Sequence, residues 1–187
     1  LDRLSREKKL STVVWAVPFS NIDGVVHGDY GKDNFPWDLN RAWGRPPMRH
    51  EVLVIQRDMQ RWSKRCRPTL GVDFHAPGAC ETDGLYAYVP RAQTAMEGHE
   101  AVAGCAHRMA EQLGSECAAE RFVRVVDYPS RWETPSFTVY CAESLKITGV
   151  TIETPYSEIR GRPLTPDSYR EAGGRIAEAL LAQCAEQ

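Results

Sequence analysis

With 187 residues, 42% of them hydrophobic, the chain is long enough for one domain with a real core. Its formal net charge of -2, with no long run of either sign, lacks the basic patch that nucleic-acid binding requires. No apolar run approaches the roughly 20 residues that cross a bilayer, so no membrane span is expected.

The chain opens Leu1-Asp2-Arg3, with neither a Met nor a signal peptide, which points to a processed or excised piece and leaves its compartment unassigned. Residues 1–10 are charged and helix-compatible, as the tail of a helix would be. Residues 11–19 (STVVWAVPF) are β-branched and apolar and predict a central strand. Residues 21–43 then gather Gly24, Gly28, Gly31, Asp23, Asp29, Asp33, Asn34 and Pro36 into a polar loop. After Pro46 and Pro47, a helical pattern over 48–64 puts Val52, Ile55, Met59 and Trp62 on one stripe. Residues 68–75 (PTLGVDFH) and 85–89 (LYAYV) predict two further strands. Pro90 precedes a long helix over about 94–113 that ends near Gly114, with Ala101, Ala106 and Ala110 suited to close packing on a sheet. An edge strand is expected at 122–126, a short helix at 136–145, a strand at 147–152 and a loop around Gly161 and Pro163. Thr165-Pro166-Asp167 is a good start for a last helix reaching about Cys184, with Ile176, Leu180 and Leu181 inward.

Strands and helices alternate, and the strands are mostly apolar throughout rather than at every second residue. That is the pattern of a sheet covered on both faces, so the expected fold is α/β, a three-layer α/β/α sandwich around a mostly parallel or mixed sheet, over residues 1–187 as one domain. The six cysteines, Cys66, Cys80, Cys105, Cys117, Cys141 and Cys184, form no C-x-x-C pair. Buried free thiols are the default reading, with one or two disulfides as the alternative.

Functional residues in such sheets gather beyond the carboxyl ends of the strands, and three polar stretches stand there. In the first, Asn40 beside Arg41 suits a carboxylate, a planar fork next to a neutral donor. The plain alternative is a turn and helix cap with Arg41 in a structural ion pair. In the second, His75 closes a strand, where it could hold a metal rigidly or serve structure alone; Asp73 shares its face and could orient it. In the third, Glu153 ends an apolar strand, where desolvation would favour proton transfer or an ion pair would simply satisfy it.

Together these stretches resemble the zinc carboxypeptidase family of metallopeptidases. Asn21-Ile22-Asp23-Gly24-Val25 and Asp38-Leu39-Asn40-Arg41 are similar to two of that family's motifs, and Gly28-Asp29-Tyr30-Gly31-Lys32 to one of its less typical branches. The resemblance runs from about Ser11 to Ala182. It implies a zinc hydrolase cleaving a carboxy-terminal peptide or amide bond, with His75 as a metal ligand and Glu153 as general base for the attacking water. Asn40 and Arg41 would grip the substrate's carboxylate, and Lys32 would stand where the family places an oxyanion-stabilising Arg. Substrates would be peptides or N-acyl amino acids.

The family's other two zinc ligands form His-x-x-Glu. None of His27, His50, His75, His99 or His107 has a Glu three residues later. The expectation is therefore an incomplete catalytic domain whose amino-terminal part lies elsewhere in the same protein. The family's substrate-closing tyrosine has only weak candidates, Tyr128 and Tyr140. The competing reading is a non-catalytic module that binds peptide carboxylates on the same fold.

Overall fold

The computed structural model describes residues 12–31, 38–89, 99–125 and 134–185. The expected helix at 1–10, the start of the helix at 94, Tyr128 and Lys32 lie outside the described residues. The elements, in order, are α1 (Ile22–His27), a 3-10 turn (Leu39–Arg41), α2 (His50–Ser63), β1 (Leu70–His75), β2 (Leu85–Val89), α3 (His99–Cys117), β3 (Ala118–Val125), α4 (Phe137–Tyr140), β4 (Thr148–Glu153), the short pair β5 (Glu158–Ile159) and β6 (Arg162–Pro163), and α5 (Pro166–Ala185).

The main sheet has the order β1-β4-β2-β3. β1 runs parallel to β4 and β2 parallel to β3, while β2 and β4 are antiparallel, so the fold is α/β with a mixed sheet. β4 sits inside the sheet and is buried at all six positions, Thr148, Thr151 and Glu153 included. The expected edge strand is β3, at the opposite edge from β1.

One sheet face carries the main core. Leu85, Ala87, Val150 and Ile152 meet Cys105, Met109 and Leu113 of α3 and Ile176 and Ala179 of α5. The other face is covered by α4, and the reason is local. Gly71 and Gly149 are register partners on β1 and β4. A Cβ on Gly149 would lie 2.9 Å from the Thr138 backbone, and one on Gly71 would lie 2.5 Å from Cys141 Sγ. Two side-chain-free positions side by side thus let α4 and the turn after it rest directly on the sheet. Behind α4, Trp43, Val52, Met59 and Tyr140 form a second, smaller core, with Trp43 and Phe137 edge to face at 4.9 Å.

α3 turns out of helical geometry at Gly114, where φ is 68°, close to the predicted end. Its last carbonyls are met by arginines from the β5–β6 turn and α5. Arg160 donates to the carbonyls of Ser115 and Ala118, Arg162 to that of Glu116, and Arg175 to that of Leu113. Thr165 caps α5 as expected, its Oγ1 accepting from Ser168 N at 3.2 Å.

Three expectations are corrected. Residues 12–19 form no strand: Val13, Val14, Val17 and Phe19 are exposed, and no ladder joins them among the described residues. Strand-like composition becomes a strand only when an edge pairs with it. Secondly, the polar loop begins with a helix instead of a turn. Asn21 Oδ1 accepts from Gly24 N, and Gly28, with φ of 75°, closes α1. Thirdly, Gly161 and Pro163 belong to a two-stranded hairpin, not to an open loop.

Candidate active site

The strand register assembles the site. His75 ends β1 and Glu153 ends β4, and the two are partners in the parallel ladder. On its other side Glu153 is partnered by Tyr86 of β2. Residues opposite one another in a ladder share a face. His75, Glu153 and Tyr86 therefore form one row across three strands, on the face away from the main core. The next row holds Asp73, Thr151 and Tyr88.

Asp73 is the hinge of the polar network. Its Oδ2 lies 3.5 Å from His75 Nδ1 and accepts from Asn40 Nδ2 at 3.2 Å. Asn40 Oδ1 in turn accepts from the Phe137 backbone N–H at 3.0 Å, and Asp38 caps the 3-10 turn by accepting from Asn40 N at 2.8 Å. Arg41, half-buried, donates through Nη1 to the Asn40 carbonyl at 2.8 Å. The Asp-Leu-Asn-Arg stretch is thus tied to β1 and α4 through Asn40. With Nδ1 turned to Asp73, Nε2 is the nitrogen His75 has for a ligand or proton.

The electrostatics follow from this crowding. Burial pushes the His75 imidazole down, but the Asp73 carboxylate beside it, aided by Glu153 and Asp38, outweighs burial and leaves its pKa above the ordinary value. Glu153 is 7% exposed. Its charge also reaches Tyr86, whose phenol is held high first by burial and then by donating to Glu81 Oε2 at 2.9 Å. Tyr156 is raised by burial, Tyr30 and Glu153, in that order. Both phenols are neutral at physiological pH and remain able to donate.

Beside His75 lies an open cavity of about 350 Å³ lined by Phe19, Asp29, Tyr30, Asp38, Phe74 and Tyr156, among others. The Tyr30 and Tyr156 rings stand 6.4 Å apart. Sequence reasoning left Tyr86, Tyr156 and Asp38 out of the site. For Tyr86 only the register, which is not written in the sequence, brings it to Glu153. Tyr156 had a signal in its place three residues after Glu153. Tyr140 is a packing residue, 2% exposed and 5.3 Å from the Trp43 ring.

A catalytic zinc takes three protein ligands and a water. His75, with Asp73 behind it, has the form of one such ligand and its support. Among the described residues no group of three His, Cys, Asp or Glu side chains could hold a metal ion. The donor set present does not fit a complete zinc centre.

No protein-family model matches the chain, and no curated protein is similar to it in sequence. Solved structures do share its fold. The chain aligns with a metallo-carboxypeptidase from Burkholderia cenocepacia at a TM-score of 0.64 and 16% identity, over 91% of this chain and 45% of that one. A metallo-carboxypeptidase from Pseudomonas aeruginosa, in complex with (2-guanidinoethylmercapto)succinic acid, gives 0.59 and 20%, over 91% and 45%. The succinylglutamate desuccinylase from Chromobacterium violaceum gives 0.52 and 19%, over 87% and 48%. The α/β fold of the metallo-carboxypeptidases and desuccinylases is therefore the fold of this chain, which spans a little under half the length of those structures.

Proposed function

We propose that the chain carries the base-bearing and substrate-holding part of a hydrolase that cleaves the carboxy-terminal peptide or amide bond of a peptide or N-acyl amino acid. The observation supporting this reading is the placement of His75, which lines an open cavity, and Glu153 as register partners at the carboxyl ends of two parallel strands. The shared fold with metallo-carboxypeptidases and a desuccinylase supports the same class.

In this reading Glu153 takes a proton from the attacking water as the oxygen bonds to the scissile carbonyl carbon, and returns it to the nitrogen as the carbon–nitrogen bond breaks. Such acid–base work contributes about 10²- to 10⁴-fold. Arg41 pairs with the substrate's terminal carboxylate, and Asn40, whose amide joins Asp73 to α4, positions both Arg41 and Asp73. Lys32 takes the developing oxyanion as a point charge. His75 is the residue of this chain that would ligate zinc. Because the donor set is incomplete, residues 1–187 alone are expected to release zinc on dialysis, and one equivalent retained would overturn that expectation.

The decisive measurement uses whichever polypeptide containing these residues hydrolyses N-acyl amino acids or peptides. Glu153→Gln should lower kcat by about 10²- to 10⁴-fold with substrate binding kept. Unchanged kcat removes Glu153 from the reaction. Carboxylate binding that depends on Arg41, in a protein with no hydrolysis at all, would instead establish the binding-module reading.

A further inference from the structure

The outer face of α2 concentrates positive charge that the rest of the fold leaves unanswered. Residues 57–67 hold five cations, Arg57, Arg61, Lys64, Arg65 and Arg67, and one carboxylate, Asp58, in a chain of net charge -2. All five cations are exposed. No long run of one sign is needed for this, because the helical period collects them. Arg57 and Arg61 stand one turn apart on the face opposite buried Val52, Gln56 and Met59, and Lys64, the C-cap, and Arg65 follow at the same period. Among the described residues none of the five makes an ion pair, and Asp58 accepts from Trp15 Nε1 at 3.0 Å.

Folding alone does not call for this arrangement. Cations in the last turn favour the carbonyl end of a helix, which accounts for Arg61 and Lys64. Arg57 lies well inside the helix and Arg67 beyond it. Like charges one turn apart repel, so Arg57 beside Arg61 opposes the helix that carries them. Guanidinium groups without acid partners suit carboxylates, which the fork grips with two hydrogen bonds. A turn earlier on the same face, Leu53 is 37% and Val54 52% exposed. A nucleic acid would answer the cations but brings no apolar side chains to Leu53 and Val54. A bilayer-binding helix sets apolar residues on one face and cations on the other. The apolar face of α2 is already buried in the second core, and Leu53 and Val54 lie in line with the cations instead. A polypeptide with apolar residues beside acidic ones meets both parts.

We propose that the outer face of α2 docks an acidic polypeptide segment of a partner protein, with apolar side chains on Leu53 and Val54 and carboxylates on Arg57, Arg61, Lys64 and Arg65. α2 leads into the start of β1, and His75 closes the far end of that strand, about 17 Å further on. The surface is therefore apart from the candidate active site. It goes beyond the hydrolase reading and does not depend on it, since docking is measured without turnover.

The test is fluorescence anisotropy on residues 1–187 with two probes, fluorescein-LLEEDEEDE-amide and its neutral counterpart fluorescein-LLQQNQQNQ-amide. The acidic peptide should bind at least about tenfold more tightly than the neutral one, and its affinity should fall as salt rises. Arg57→Ser combined with Arg61→Ser should weaken binding at least about fivefold without lowering the urea unfolding midpoint, because the pair repels. Arg170→Ser, which removes an exposed Arg from α5, should leave binding unchanged. Leu53→Ser combined with Val54→Ser should weaken it at least about twofold. The proposal would be overturned by equal binding of the two peptides, by no loss in either double variant, or by an equal loss in Arg170→Ser. Competition from an oligothymidylate of equal length, or from phosphatidylserine vesicles, as strong as that of unlabelled acidic peptide would overturn it as well.

Discussion

β4 and residues 12–19 have similar compositions and opposite fates. Both are short and rich in β-branched residues, TGVTIE and TVVWAVPF. β4 is buried at every position, with ladders on both sides, α4 on one face and the α3–α5 core on the other. Residues 12–19 expose Val13, Val14, Val17 and Phe19 and join no ladder among the described residues. Apolar composition sets what a segment can bury, and the neighbours that reach it decide what it does bury. His75 sits on the boundary between these two regimes, with the packed sheet on its Glu153 side and the open groove on the other.

The sharpest way to break this contrast is to empty the packed side. Ile152 is fully buried among Val150, Ala87 and the α3 and α5 side chains. Ile152→Ala should cost about 2–5 kcal/mol in urea unfolding, from lost burial plus the cavity left behind. A loss below about 1 kcal/mol would mean that the core is not anchored on β4. The next effect is smaller. Arg160 donates to the carbonyls of Asp83, Ser115 and Ala118 and closes the end of α3. It is partly exposed, so solvent offsets some of the loss, and Arg160→Ala should cost about 1–2 kcal/mol. No change in the same unfolding experiment would show that water caps those carbonyls equally well.

Cys141 probes the packed side without a mutation. Burial, reinforced by the Asp73 carboxylate, pushes its thiol up to about 12. The neutral thiol is therefore the folded form. The linkage is silent below the ordinary thiol range, and stability falls as pH rises from there towards about 12, because the unfolded thiol ionises first. At pH 8 Cys141 should react with iodoacetamide at least about 100-fold more slowly than exposed Cys80. Equal rates would place Cys141 outside the core.

Much of this architecture was legible in the residues. The apolar runs at 85–89 and 147–152, the stop at Gly114 and the Thr165 cap all act through nearest neighbours in sequence, so their signals are local. His75 and Glu153 were legible as strand ends, and Asp73 as the partner on the His75 face. Their adjacency was not, because it depends on β4, last of the main strands in sequence, pairing between β1 and β2. The same crossover hides Tyr86, and the Asn40 side chain likewise meets residues distant in sequence, Asp73 and Phe137, 33 and 97 residues away. The strand predicted at 11–19 failed for the converse reason, as its composition is sound but no described strand pairs with it.

The smallest expected effect tests the open side. Phe19 is 62% exposed, so Phe19→Ser removes little buried area and should change stability by no more than about 0.5 kcal/mol. Beside the Ile152→Ala loss this is the measure of the contrast itself. Trp15 of the same segment is half-buried against the second core and donates to Asp58, so a cost near 2 kcal/mol in the isolated chain would show that Phe19 packs as well.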